Sequence, residues 1–220
     1  GMGTIVPERD AAASRLIAMS FARRQRTALA DLFAELGPFA PTKCEGWKTQ
    51  DLAAHLYVRE HRPAALLGIG FPRFAEKTAR IQLEALHELG YPALVEAIRT
   101  PPALMRPLDR LAGASEFFIH HEDVLRANGR SQTLTPHQQD GLWRVAQVLA
   151  RRVQLKTKGH VRLVRGDTGH VAQLGRGPRP LTVTGLPSEL LLHLSGREAD
   201  VSLTGEPAVV DAWRAAVSPL

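Results

Sequence analysis

Apolar residues recur at helical spacing through most of the first 157 positions of the chain. Between about Glu8 and Leu36 the pattern has an i, i+3, i+4, i+7 face, which predicts one long amphipathic helix. The same periodicity predicts further helices after Thr49, from about Phe74, from Tyr91, over Ala114–Arg126 and after Thr135. Four main helices, each with a single apolar face, favour an antiparallel four-helix bundle.

The hydrophobic period changes to two after Gly159. Alternating residues in His160–Arg165 and His170–Leu174, joined by a glycine-containing turn, predict a β-hairpin. Two more strands and two short helices are expected, at Leu181–Thr184, Asp200–Leu203, Ser188–Leu194 and from Pro207. The predicted fold is therefore an α + α/β two-part chain, with a helical domain over residues 1–157 and a small α+β domain over residues 158–220.

Composition excludes several classes of protein. The chain has 220 residues, of which 44% are hydrophobic, and no apolar run approaches the ~20 residues of a membrane helix. The first residues lack the apolar core of a signal peptide, and the single cysteine allows no internal disulfide. We therefore expect a cytoplasmic protein that makes no membrane contact.

The net charge of +6 raises the question of nucleic-acid binding. Basic residues are spread over all segments, and only Arg23–Arg26 and Arg151–Arg152 are dense. Both stretches fall on predicted helices, where a solvated helix face is the simpler explanation. We expect no nucleic-acid partner, and some of the arginines are instead available to an anionic small substrate.

The most informative stretch is Ala114–Arg126, in which Glu116 precedes His120 by four residues. Residues i and i+4 lie on one face of a helix, so this carboxylate and this imidazole can bind the same ion. His55, on another predicted helix, can supply a third ligand from an antiparallel neighbour. Three ligands leave coordination positions open, which suits zinc, and nickel, iron or manganese use the same ligand types. Asp123, one turn beyond His120, can accept its second imidazole N–H.

The sequence leaves a simpler interpretation open. His55 and His120 could be packing histidines of the bundle, with Glu116 a surface carboxylate. His121 competes with His120 as a ligand, but it falls on the apolar stripe of its helix, so we interpret it as a packed neighbour. Cys44 has no histidine near it in the sequence, and we interpret it as a small buried residue.

Four segments of the chain carry a further signal: Cys44-Glu-Gly-Trp47, Asp51-Leu-Ala-Ala-His-Leu56, the helix segment from Glu116 to Val124, and Gly185–Leu192 with Gly196-Arg197. Together these segments resemble the mycothiol-dependent maleylpyruvate isomerase family, which belongs to the DinB-like metalloproteins. The likeness runs in order from about Met19 to Trp213 and is greatest with an uncharacterised metal-binding subgroup. Residues 1–18 precede it and have a weaker apolar pattern, so we expect them to be a dispensable extension.

The resemblance implies a DinB-like antiparallel four-helix bundle that binds a metal through His55, Glu116 and His120, followed by a small α+β domain. It also implies mycothiol, or a similar low-molecular-weight thiol, which the metal would activate for transfer to a small electrophile or for isomerisation. Arg59, one turn after His55, and Arg197 are our candidates for binding an anionic substrate or the cofactor. The alternative function is a non-catalytic protein that binds a metal and a small ligand.

Overall fold

The structure, a computed structural model, describes residues 8–62, 75–100, 102 and 112–217, with the side chains of residues 8–20, 75 and 112–114 outside that description. The chain divides into two compact units, Gly1–Gln132 and Thr133–Leu220. The first unit is helical, and the second combines helices with one mixed β-sheet. At this level the predicted combination of a helical part and an α+β part is confirmed.

The described residues of the first unit form five helices: α1 (Glu8–Leu36), α2 (Thr49–His61), α3 (Ala75–Leu89), α4 (Tyr91–Arg99) and α5 (Ala112–Ala127). Helix α1 packs on α4 and α5, while α2 packs on α3 and α4. Their apolar faces share one core, whose fully buried members include Phe33, Leu52, Leu56, Leu94 and Phe117. This common core holds α2 and α5, the helices that carry the candidate ligands.

A buried ion pair joins α1 to α2. The Arg26 guanidinium makes a two-pronged contact with the Glu60 carboxylate at 2.6 and 2.7 Å, and it also lies 3.9 Å from the ring centre of Phe117. Arg23 and Arg24 are exposed, whereas Arg26 is buried. The dense basic stretch of α1 is therefore split between the solvent and the core, which weakens the case for a nucleic-acid surface there.

The second unit consists of α6 (Pro136–Thr157), a four-stranded sheet and two short helices, α7 (Pro187–Leu194) and α8 (Pro207–Ala216). The strands are β1 (His160–Arg165), β2 (Val171–Leu174), β3 (Pro180–Gly185) and β4 (Val201–Thr204), in the order β2-β1-β3-β4. The pairs β1–β2 and β3–β4 are antiparallel, and the central pair β1–β3 is parallel. The predicted hairpin, with its turn at residues 166–169, is present.

Helix α6 packs with the second unit, whereas the sequence-based division at residues 157 and 158 assigned it to the first. Its buried stripe, which includes Trp143, Ala146 and Ala150, belongs to the same core as Val161 and Leu163 of β1. The apolar stripe on α6 suits a helical neighbour and a sheet equally well. Its periodicity therefore predicted the helix but not the unit to which the helix belongs.

Two further predictions concern the N-terminus and membranes. Of the proposed extension, residues 1–7 lie outside the described part of the chain, and residues 8–18 form the first turns of α1. The dispensability of residues 1–18 therefore stays a prediction. Among the helices of the described residues, none is both long enough and apolar enough to cross a membrane.

Candidate metal centre

Helices α2 and α5 bring the three predicted ligands together. His55 lies in the middle of α2, and Glu116 and His120 lie one turn apart on α5. Nε2 of His55 is 3.6 Å from Glu116 Oε1, and Nε2 of His120 is 3.8 Å from the same oxygen. The imidazole rings meet edge to face, with their centroids 5.7 Å apart. One carboxylate oxygen and two imidazole nitrogens therefore converge.

These three ligand atoms fit a divalent cation. All of them lie within 4.8 Å of one another. In a tetrahedral site with metal–ligand bonds of ~2.0–2.1 Å, neighbouring ligand atoms are about 3.3–3.4 Å apart. The measured separations from Glu116 Oε1, 3.6 and 3.8 Å, need to contract by only a few tenths of an ångström. Two imidazoles and one carboxylate are also a ligand set that zinc and nickel accept.

The second nitrogen of each imidazole has its own partner. Nδ1 of His120 lies 3.0 Å from Asp123 Oδ2, so it donates to the buried carboxylate, in the position that the sequence predicted for Asp123. Nδ1 of His55 lies 3.1 Å from the Gln82 side-chain amide nitrogen. A half-turn of that amide presents Oε1 instead, and the His55 ring then carries its proton on Nδ1 and leaves Nε2 free to bind a cation.

Burial and local charge set the ionisation of the three residues. Burial lowers the pKa of His55, so its imidazole is neutral. Burial also opposes protonation of His120, but its contacts with Asp123, Cys44 and Glu116 outweigh burial and hold its pKa well above the ordinary value. Burial disfavours the Glu116 anion, but hydrogen bonds to both imidazoles and the Arg59 charge hold its pKa well below the ordinary range. The metal-free site therefore pairs a Glu116 carboxylate with a protonated His120.

The two candidate anion-binding arginines lie in different units. Arg59, one turn after His55 on α2, places Nη1 2.8 Å from Glu116 Oε2, so it belongs to the site. Arg197 lies in the second unit, where Nη1 donates to the Ser195 carbonyl at 2.7 Å. The first arginine therefore contacts a candidate ligand directly, and the anion-binding role of both arginines stays a prediction.

Sequence reasoning missed the contact of Cys44 with the site. The Cys44 thiol donates to Asp123 Oδ2 at 3.3 Å and lies 3.8 Å from His120 Nδ1. Cys44, His120 and Asp123 form a second group of potential metal ligands that shares His120 with the first. The cysteine precedes a glycine and a tryptophan, Trp47, whose ring centroid lies 5.0 Å from that of His55. The only sequence signal for this contact was the place of Cys44 in a segment that carries the family resemblance.

His121 is a packed residue of α5, as the apolar stripe predicted. Its ring is buried, and Nδ1 donates to Gln25 Oε1 of α1 at 2.8 Å. Burial lowers its pKa to about 4, so the ring is neutral near pH 7. His121 therefore faces α1, away from the convergence of ligands on Glu116.

Solved structures with a similar fold include mycothiol-dependent maleylpyruvate isomerase, which covers 87% of this chain and 92% of its own, at a TM-score of 0.50 and 15% identity. A mutant of that enzyme, with a histidine replaced by alanine, covers the same shares at a TM-score of 0.50 and 13% identity. Neither a family model nor a curated protein matches the sequence. The relationship is therefore distant and lies at the level of the fold, where it confirms the resemblance drawn from the sequence.

Proposed function

We propose that this protein is a metal-dependent enzyme of thiol transfer or isomerisation, which uses a low-molecular-weight thiol of the mycothiol type on a small electrophilic and anionic substrate. The metal is held by His55, Glu116 and His120, with zinc the first candidate and nickel the second. The first unit is, in this proposal, a DinB-like antiparallel four-helix bundle. The observation that carries the proposal is the convergence of two imidazole Nε2 atoms on one Glu116 oxygen.

The surrounding residues support a cation with open coordination positions. Two neutral imidazoles and one carboxylate leave a divalent ion with a net charge of about +1 by ligand charge counting. A divalent cation bound there supplies positive charge that lowers the pKa of a nearby thiol, which then becomes the stronger nucleophile. The fold shared with a mycothiol-dependent enzyme supports the choice of thiol, and the assignment itself is ours.

The electrophile is expected to be an anion because of Arg59. Its Nη1 atom contacts Oε2 of Glu116, whose other oxygen lies near the two imidazoles, so its positive charge lies beside the proposed metal position. A guanidinium binds carboxylates through paired N–H groups, which orients a planar acid next to the reacting sulfur. The support for Arg197 is weaker, because the contact of its Nη1 is with the Ser195 carbonyl and not with a candidate metal ligand.

Cobalt substitution followed by a conjugation assay tests this function. Cobalt-loaded protein should gain an intense absorption band when mycothiol is added, and no such band with a serine-derived analogue that has a hydroxyl in place of the thiol. The zinc-loaded protein should then accelerate conversion of an electrophilic dicarboxylate when mycothiol is present, and His55→Ala should not. Transfer consumes the thiol, whereas isomerisation returns it. If no thiol changes the cobalt spectrum while a small carboxylate does, the thiol-dependent function is wrong.

A protein that binds a metal and a small ligand without turnover is the second candidate. The observation in its favour is that Glu116 is engaged on both oxygens, by the imidazoles and by Arg59, so it is not a free general base. This candidate predicts that ligands bind the zinc-loaded protein and that neither thiol nor electrophile is consumed. Measuring the consumption of thiol and electrophile, with both present, therefore distinguishes the enzyme from the binding protein.

A further inference from the structure

The loop before α2 makes a four-residue turn that contacts both candidate histidine ligands. Its first residue, Cys44, donates to Asp123 Oδ2 at 3.3 Å and lies 3.8 Å from Nδ1 of His120. Its last residue, Trp47, packs its ring against His55 with centroids 5.0 Å apart. One end of the turn thus reaches the imidazole on α5, and the other end reaches the imidazole on α2.

The turn is held in one shape by its own hydrogen bonds. The Trp47 N–H donates to the Cys44 carbonyl at 3.0 Å, which closes a four-residue turn. Gly46, at its third position, has a φ of +76°, a value that side-chain-bearing residues rarely adopt. The Thr42 hydroxyl accepts from the Cys44 N–H at 3.1 Å and donates to the Trp47 carbonyl at 2.9 Å. Both ends of the turn are therefore tied to one hydroxyl group.

The loop is also tied to α5 by its backbone. The Lys43 N–H donates to the Asp123 carbonyl at 3.0 Å, and the Asn128 side chain donates to the Pro41 carbonyl at 3.0 Å. The Asp123 carbonyl thus accepts a hydrogen bond from the loop backbone. The Asp123 carboxylate accepts hydrogen bonds from the Cys44 thiol and from His120. A shift of the turn would move the group that orients this imidazole.

We infer that the turn from Cys44 to Trp47 is a positioning device that sets the orientation of both imidazoles, and that Cys44 and Trp47 are positioning residues for the metal centre. Cys44 acts on His120 through Asp123, and Trp47 acts on His55 by ring contact. Partners that orient metal-binding imidazoles affect metal affinity although they do not touch the ion. The inference rests on the proposed function only where zinc affinity is measured. The orientation of the imidazoles can also be tested in the metal-free protein.

Gly46→Ala is the sharpest test, because it alters the turn without removing any contacting atom. A Cβ at Gly46 meets no heavy atom within 4 Å, so the change acts through the backbone strain of an alanine at φ +76°. Gly169→Ala is the matched control, since Gly169 has a φ of +71°, equally open surroundings and a place in the β-hairpin of the second unit. We expect Gly46→Ala to weaken zinc binding by roughly threefold or more and Gly169→Ala to leave it unchanged.

Side-chain variants then separate the two ends of the turn. Cys44→Ala should weaken zinc binding roughly tenfold, because it removes a partner of Asp123 and His120. Cys44→Ser should restore most of the affinity, since a hydroxyl also donates to Asp123 Oδ2. Trp47→Leu should weaken binding through His55. Thermal unfolding of each metal-free variant verifies that the first unit is folded.

Imidazole ¹⁵N resonances of the metal-free protein give a readout that needs no metal. Cys44→Ala should shift the resonances of His120, Trp47→Leu those of His55, and Gly46→Ala both, while Gly169→Ala shifts neither. Unmoved resonances in Gly46→Ala would overturn the inference whether or not zinc binds. If the native protein binds no zinc, the proposed function fails, and the pattern of imidazole shifts still decides the inference.

Discussion

Arg59 Nη1 lies 2.8 Å from Glu116 Oε2, whereas the two imidazoles contact the other oxygen of the same carboxylate. The two oxygens of Glu116 thus have different partners, because Oε1 lies 3.6 and 3.8 Å from the Nε2 atoms of His55 and His120. A cation on the imidazole side and a guanidinium on the other side share one carboxylate. Arg59 therefore brings positive charge to the site without occupying a ligand position.

Arg59→Ala should leave zinc bound and weaken the binding of anions. Loss of a charge-assisted contact should raise the dissociation constant of a small dicarboxylate such as maleate roughly tenfold or more. Titration calorimetry of the zinc-loaded variant checks this prediction. Arg62→Ala is the matched control, since Arg62 pairs with exposed Glu88 at 3.2 Å and should not affect maleate. Equal maleate affinity in Arg59→Ala and the native protein would remove Arg59 from the substrate site.

Zinc binding near pH 7 should release about one proton per ion. In the metal-free protein Glu116 is ionised and His55 is neutral, whereas the raised pKa of His120 keeps that ring protonated. Zinc must displace the His120 proton, so its affinity should fall as the pH is lowered. Calorimetry in buffers of different ionisation enthalpy measures the released proton. A binding heat that does not depend on the buffer would show that His120 is already neutral.

Acid should destabilise the metal-free protein through His121. Its pKa is about 4 when folded because the ring is buried, and the ordinary value is about 6.5. Between these values the unfolded chain binds more protons, so the free energy of unfolding falls as the pH is lowered from 6.5 to 4. The His121 contribution lost across this window is about 3–4 kcal/mol, because each pKa unit corresponds to roughly 1.4 kcal/mol. Urea unfolding of His121→Gln, which keeps a donor for Gln25, should show a shallower pH dependence, and an unchanged slope would contradict this assignment.

Glu60→Gln should destabilise the first unit strongly. Glu60 accepts two hydrogen bonds from buried Arg26, and the change to glutamine removes the negative charge that faces this guanidinium in the core. Breaking a buried pair in this way costs about 3–5 kcal/mol. Glu96→Gln is the control, because Glu96 is 75% exposed in its pair with Arg99 and should change stability by less than about 1 kcal/mol. If both variants lost a similar free energy of unfolding, the buried Arg26–Glu60 pair would contribute no more to stability than an exposed pair.

The elements that could be predicted from sequence are those whose signals are local. Helix α1 spans Glu8–Leu36, as its apolar periodicity predicted, and β1 spans His160–Arg165, as the alternation predicted. Thr135 and Gln138 form a capping box at the start of α6, which begins after Thr135 as the sequence predicted. The Glu116 and His120 pair was visible because four-residue spacing fixes which side chains share a helix face.

The features that the sequence did not reveal depend on contacts between distant segments. Cys44 lies 76 positions from His120, and no local pattern indicates that its loop folds onto α5. Gln82 on α3 was not predicted to contact His55, because a glutamine on an amphipathic helix carries no signal of its partner. The position of α6 in the second unit was missed for the same reason, since an apolar stripe does not specify which surface covers it.

The zinc content of purified protein tests the metal centre most directly. Native protein, loaded with zinc and freed of excess metal, should retain one ion per chain by elemental analysis. His55→Ala should retain none, whereas His61→Ala, altered at the end of the same helix where the ring stacks on Tyr57, should retain one. Retention of one zinc ion per chain by folded His55→Ala, or of none by the native protein, would contradict a metal site built from His55, Glu116 and His120.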